Sequence, residues 1–315
     1  MPAAWQDARV ASARHGKQSN GRRLTVVDGC GRPGGDELVE LRTQLASAGA
    51  PAEVLRALDS AGDAEEALRN LVEAGMLPSP EESLAGLLEE WTPLLKPGAE
   101  TVSAELAGAE FLGMMRQAAP DPDEVPEILV GLIGQAESTA KPEALAMLRV
   151  LAVLGPPEIQ LAAAEAADRL VAAGLTDRPW VNELGMPQVG TSFGFIDELG
   201  VQEGIAVTFT YGRKVHAFVV LIDHDLGGGV KDCFPTDRPD KIRTEYQQVA
   251  KQHGLHYRDY APATARAILD RALAAPPCPV APDQVDDVGD YLDLLRRRVA
   301  LLPDGVAAPS PARPH

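Results

Sequence analysis

The run Gly204-Ile-Ala-Val-Thr-Phe-Thr-Tyr-Gly-Arg-Lys-Val-His-Ala-Phe-Val-Val-Leu-Ile222 decides how this chain is read. Two β-branched and aromatic segments flank Gly212-Arg213, and glycine in the first position of a two-residue loop fits a tight hairpin. The second segment is apolar without a break from Ala217 to Ile222. That predicts a central strand covered on both faces.

Downstream, Asp237-Arg-Pro-Asp240 opens a helix to about His253, with Ile242, Tyr246, Val249 and Ala250 on one stripe and Gly254 as its stop. Leu255–Tyr260 reads as a third strand. Pro262 starts a helix to about Ala275. A last helix near 283–302 carries Val285, Val288, Leu292, Leu295, Val299 and Leu302. Just upstream, the passage with Gly185, Pro187, Gly190 and Gly194 reads as loop. The order β-β-α-β-α-α defines an α+β domain over 186–302.

Before residue 186 the text is helix, glycine or proline, helix. Ser79-Pro80-Glu81-Glu82 reads as N-cap, proline at the first helical position and carboxylates favoured by the helix dipole. Apolar spacing predicts helices over about 101–118, 123–138, 141–154 and 157–173, and Gly49, Gly75 and Gly174 read as stops. The fold class is therefore α+β: an all-α helical array followed by a small mixed α+β domain built on a β-hairpin. The boundaries are a disordered basic tail over 1–35, an acidic all-helical domain over 36–185, the α+β domain over 186–302 and a disordered tail over 303–315.

The 315 residues carry 29 Lys and Arg against 46 Asp and Glu, a formal charge of −17. The imbalance is local. Residues 36–138 hold 21 acidic and five basic residues, net −16, whereas 1–35 are net +4 and 186–260 net −2. Phosphate contacts need Lys and Arg in excess, so the helical part is not expected to bind nucleic acid. The acidic segment predicts a protein partner surface, set against a solvated face that keeps the chain soluble. Three widely spaced cysteines exclude a disulfide scaffold. No apolar run reaches the ~18 residues of a spanning helix, and no apolar signal segment is read in 1–35. These point to a cytoplasmic protein without membrane partners, and leave a homo-oligomer open.

Chemistry concentrates in Asp223-His-Asp-Leu-Gly-Gly-Gly-Val-Lys-Asp-Cys233, where ionisable groups follow a buried strand. In one reading the loop holds a divalent metal, the only cofactor suggested, with His216, Asp223, Asp225 and Asp232 as ligands. His224, Asp225 and Lys231 would then be catalytic, and Gly227, Gly228 and Gly229 would admit a ligand's approach. That reading is a metal-dependent hydrolase or nuclease. In the other, Asp223 and Asp225 cap backbone N–H groups, the glycines adopt positive φ and Lys231 pairs with a carboxylate. No metal-site or Walker-type spacing accompanies the loop. Cys278 reads as inert, and Arg296, Arg297 and Arg298 as a solvated helix end with a charge match to the acidic segment.

The run Leu221-Ile-Asp-His-Asp-Leu-Gly-Gly-Gly-Val-Lys-Asp-Cys233 resembles an uncharacterised family of high-GC actinobacterial proteins, over roughly residues 80–302. The resemblance implies a bacterial cytoplasmic setting and carries over no catalytic residue. The reading is an interaction or regulatory protein that uses an acidic helical surface, with the metal-dependent enzyme as the alternative.

Overall fold

The structure is a computed structural model. It describes Val39 and residues 42–43, 45–47, 50–119, 121–276, 278 and 288–304. The tail expected at 1–35, residues 305–315 of the tail expected at 303–315, and Val285 of the last helix lie outside the described residues. The protein is α+β, helices followed by a five-stranded antiparallel sheet.

The chain divides into two compact units, residues 23–92 and residues 93 onward. The first holds α1 (Ala52–Asp59), α2 (Ala64–Glu73) and α3 (Pro80–Glu89). Leu58, Ala67 and Leu71 form its small core, with Val54 and Met76 packed against them. Local chemistry fixes the helix ends. Asp63 accepts the Glu66 N–H at 2.8 Å. Ser79 and Glu82 form the reciprocal capping box, at 3.1 and 2.8 Å.

The second unit opens on its own helices, α4 (Thr101–Ala118), α5 (Val125–Thr139), α6 (Pro142–Leu154) and α7 (Pro157–Ala172). Each lies within two residues of its sequence-based span. Trp180 anchors the passage out of α7: its indole N–H donates to the Leu94 carbonyl at 3.0 Å in the core. The sequence reading placed a boundary at 185/186, but these helices share one compact unit with the sheet, and the units divide at Thr92/Pro93.

The sheet has the order β4-β3-β2-β1-β5, from β1 (Gln188–Ile196), β2 (Gln202–Tyr211), β3 (Lys214–Asp223), β4 (Gly229–Thr236) and β5 (His256–Tyr260). The hairpin is as expected: Tyr211 faces Lys214, and the register then runs unbroken to Gln202 facing Asp223. β3 is interior and buried from His216 to Asp223. Two strands were read as loop. β1 hides behind its glycines, because Gly194 passes so close to β2 that a Cβ there would meet the Gly204 carbonyl oxygen at 2.0 Å. β4 hides behind Gly229, Lys231 and Pro235, a composition tolerated at a sheet edge.

α8 (Pro239–His253) crosses one face of the sheet. There Ile242 and Tyr246 pack on Phe193, Phe195, Val219 and Leu221, and Tyr246 meets Phe195 edge-on at 4.9 Å. α9 (Pro262–Ala274) and α10 (Val288–Ala300) also pack on the sheet, and α10 packs on α4 as well. Phe218 is 1% exposed on the interior strand β3. Phe218→Ala should cost about 3–5 kcal/mol, read as a lower urea midpoint with an unchanged slope.

Candidate functional site

One end of the sheet gathers most of the residues singled out in the sequence. Asp223 closes β3 almost fully buried, and its carboxylate is crowded with donors. The Lys231 ammonium pairs with it. The Gln202 side chain donates at 3.3 Å, and the N–H groups of Asp225 and Leu226 donate at 3.2 Å each. Burial alone would push this carboxyl up. Lys231, the Leu226 amide and Gln202 together hold it below the usual carboxylate range. Asp223 is thus the cap of its own turn, and Lys231 is its counter-charge.

The turn itself is 224–228. Gly227 and Gly228 take positive φ, 104° and 80°, which only glycine adopts cheaply. Gly229 serves packing instead, because a Cβ there would meet the Pro276 carbonyl oxygen at 2.2 Å. Asp225 is exposed. Asp232 is buried in β4 opposite Leu221, where its charge, after burial itself, raises the Tyr246 hydroxyl.

His224 lies just past β3. Its backbone N–H donates to the Val201 carbonyl at 2.7 Å, which ties the β3–β4 turn to the β1–β2 turn. Its Nε2 lies 3.3 Å from Glu203 Oε2, and the other Glu203 oxygen accepts the Tyr260 hydroxyl at 2.9 Å. Glu203 is 5% exposed. Burial, then Glu203, pushes the Tyr260 hydroxyl far up, so Tyr260 stays a donor. Glu203 and Tyr260 were not singled out in the sequence. The signal for Glu203 was nonetheless present. A two-residue turn that sets Tyr211 against Lys214 also sets Glu203 against Ile222 and Val201 against His224.

His216 does not join this group. It begins the buried part of β3, seven residues before Asp223, which is about 23 Å along an extended strand. Among the described residues no three His, Cys, Asp or Glu side chains gather as a metal ion would need. The expected set of His216, Asp223, Asp225 and Asp232 is dispersed along two strands and a turn.

His216 belongs instead to a buried polar cluster at the other end of the hairpin. Glu105 of α4 and Arg298 of α10 form an ion pair with side chains 0% and 2% exposed. The Tyr211 hydroxyl donates to Glu105 at 2.7 Å. The Arg298 guanidinium lies over the rings of Phe209 and Tyr211, at 5.3 and 5.6 Å. His216 stacks on the same two rings, and neither of its ring nitrogens has a hydrogen-bond partner. Burial first, and the Arg298 charge second, push its pKa down to about 3. The three arginines read as a solvated end are therefore unlike one another. Arg296 is exposed on Asp293, Arg297 donates to the Leu154 and Gly155 carbonyls, and Arg298 is core. Their charge match to the acidic segment is realised within the molecule at Glu105.

No family model, curated protein or solved structure matches the chain.

Two outcomes follow from the buried cluster. His216 is neutral when folded and free to protonate when unfolded, so the unfolded chain binds more protons below pH 6.5. Stability is full above that value and falls as pH drops towards 3, by about 2 kcal/mol at pH 5 from this residue. His216→Leu should flatten that part of a urea-midpoint profile against pH. Arg298→Met should cost about 3–5 kcal/mol by stranding Glu105, and adding Glu105→Leu should recover most of the loss.

Proposed function

We propose that the protein is a cytoplasmic interaction or regulatory protein whose acidic helical surface receives a basic protein partner. Residues 52–92 contain ten Asp and Glu against two Arg. The carboxylates among them whose side chains are described are all exposed.

The placement of three of them carries the reading. Glu73 is the last residue of α2, and Glu89 and Glu90 end α3, with no basic residue in the last turn of either helix. A helix C-terminus bears a partial negative charge, so each such carboxylate is opposed by about 0.3–1 kcal/mol at low salt. Side chains that keep the protein soluble could sit on the middle turns at no such cost. Carboxylates held where the fold disfavours them are the pattern of a surface shaped for a partner of opposite charge.

The metal-dependent alternative has no comparable support. Its central carboxylate, Asp223, is already committed to Lys231 and to the turn amides.

The test uses the full chain with the triple substitution Glu73→Gln, Glu89→Gln and Glu90→Gln. The variant should unfold at an equal or slightly higher temperature and bind a ten-residue oligolysine peptide about tenfold or more weakly in low salt. Wild-type binding should weaken steadily as salt rises. Equal affinity of the two proteins, or binding indifferent to salt, overturns the assignment.

A further inference from the structure

We propose that His224 is a nucleophilic imidazole that accepts an acyl group at Nδ1 from an uncharged activated ester, with Glu203 as its positioning residue. Three features of the sheet end support this. The first is orientation. A carboxylate oxygen accepts, so an Nε2–H donated to Glu203 Oε2 leaves the ring's lone pair on Nδ1. Glu203 is itself held by Tyr260 from the opposite side. A buried acceptor fixed at both oxygens is how a fold sets the tautomer of a reactive histidine.

The second is access. The His224 side chain is 23% exposed, whereas that of Glu203 is 7% exposed. A Cβ at residue 228 would stand 3.7 Å from Nδ1. Nδ1 therefore faces residue 228, where glycine sets no side chain against it.

The third is the chemistry of the rim. Lys231 pairs with Asp223, while Glu203 and the exposed Asp225 stand beside His224 and the Arg258 guanidinium lies over the Tyr260 ring at 5.8 Å. Two carboxylates against one guanidinium disfavour phosphoryl and carboxylate-bearing donors. The flanking turns instead offer apolar surface: Leu226 is 45% exposed and Leu199 is 75% exposed. The Leu199 turn is tied to His224 through the Val201 carbonyl. An uncharged ester with an apolar acyl or alcohol part fits both properties.

In the step, the Nδ1 lone pair bonds to the ester carbonyl carbon, and the alcohol oxygen departs with the electron pair of the broken C–O bond. The Nε2 proton remains on the Glu203 side, where the carboxylate offsets the positive charge of the acylated ring. Water then adds to the carbonyl carbon. The C–N bond breaks with its electrons returning to Nδ1; one proton of the water passes to the alkoxide and the other stays on the acid. The products are a carboxylic acid and an alcohol.

The test uses the full-length wild-type protein with diethyl pyrocarbonate, a neutral acyl donor, and peptide mapping of each histidine. His253 and His256 are exposed and serve as internal references. His224 should be acylated about tenfold faster than either. Glu203→Gln keeps the shape and removes the charge, and should bring His224 down to the reference rate without changing the references. Tyr260→Phe should lower it partway. p-Nitrophenyl acetate should be turned over by wild type and not by His224→Asn, and p-nitrophenyl phosphate by neither. A wild-type His224 no faster than the references overturns the proposal without recourse to any variant. So does an undiminished rate in folded Glu203→Gln, and turnover of the phosphate ester would overturn the choice of substrate class.

Discussion

The Glu105–Arg298 pair is the constraint around which the second compact unit is arranged. Two full charges sit where water does not reach, and removing them from water costs several kcal/mol per ion unless each finds the other. Glu105 belongs to α4, Arg298 to α10, and the Tyr211 hydroxyl that completes the pair to β2. One interaction therefore joins an early helix, the last helix and the hairpin. Its contribution is specificity more than net stability: a shift of α10 along the sheet would strand a charge in the core. His216 adds to the same demand. It tolerates its place beside Arg298 only as a neutral ring stacked on Phe209 and Tyr211.

The opposite end of the sheet follows a different logic. Its ionisable groups stand at strand ends and turns, so each can be tied to backbone or left partly in water. Asp223 is spent on the turn and on Lys231, and Asp225 is exposed. His224 combines a buried, fixed partner with a partly exposed ring. A core polar cluster that fixes register and the rim residue proposed as a nucleophile thus belong to the same hairpin, separated along its length.

Much of this was legible in residues taken alone. Local patterns act over a few positions, and the helix spans, the Ser79 capping box and the hairpin depend on nothing further away. The two strands read as loop show the limit of local reading. Glycine and proline signal loops because they weaken strands, yet Gly194 is required by a close approach between β1 and β2, and Pro235 is tolerated because β4 is an edge. Both reasons are tertiary. The dispersal of His216 from Asp223 was arithmetically available, because a strand extends about 3.3 Å per residue. Glu203 was available too, since a two-residue turn fixes every pair in its hairpin.

By itself the sequence determined the α+β class, the tight hairpin and the concentration of negative charge before residue 139. Each of these depends on neighbours in the chain or on composition. Only the tertiary structure decided which charges are solvated and which are core. Arg296, Arg297 and Arg298 are consecutive and chemically identical, and their fates diverge because successive helix positions turn by about 100° and only one direction meets Glu105. The same holds for His216 and His224, eight residues apart on one hairpin. One is stacked and neutral in the core, and the other is held by Glu203 at the rim, because burial is a property of what packs against a strand and not of the strand.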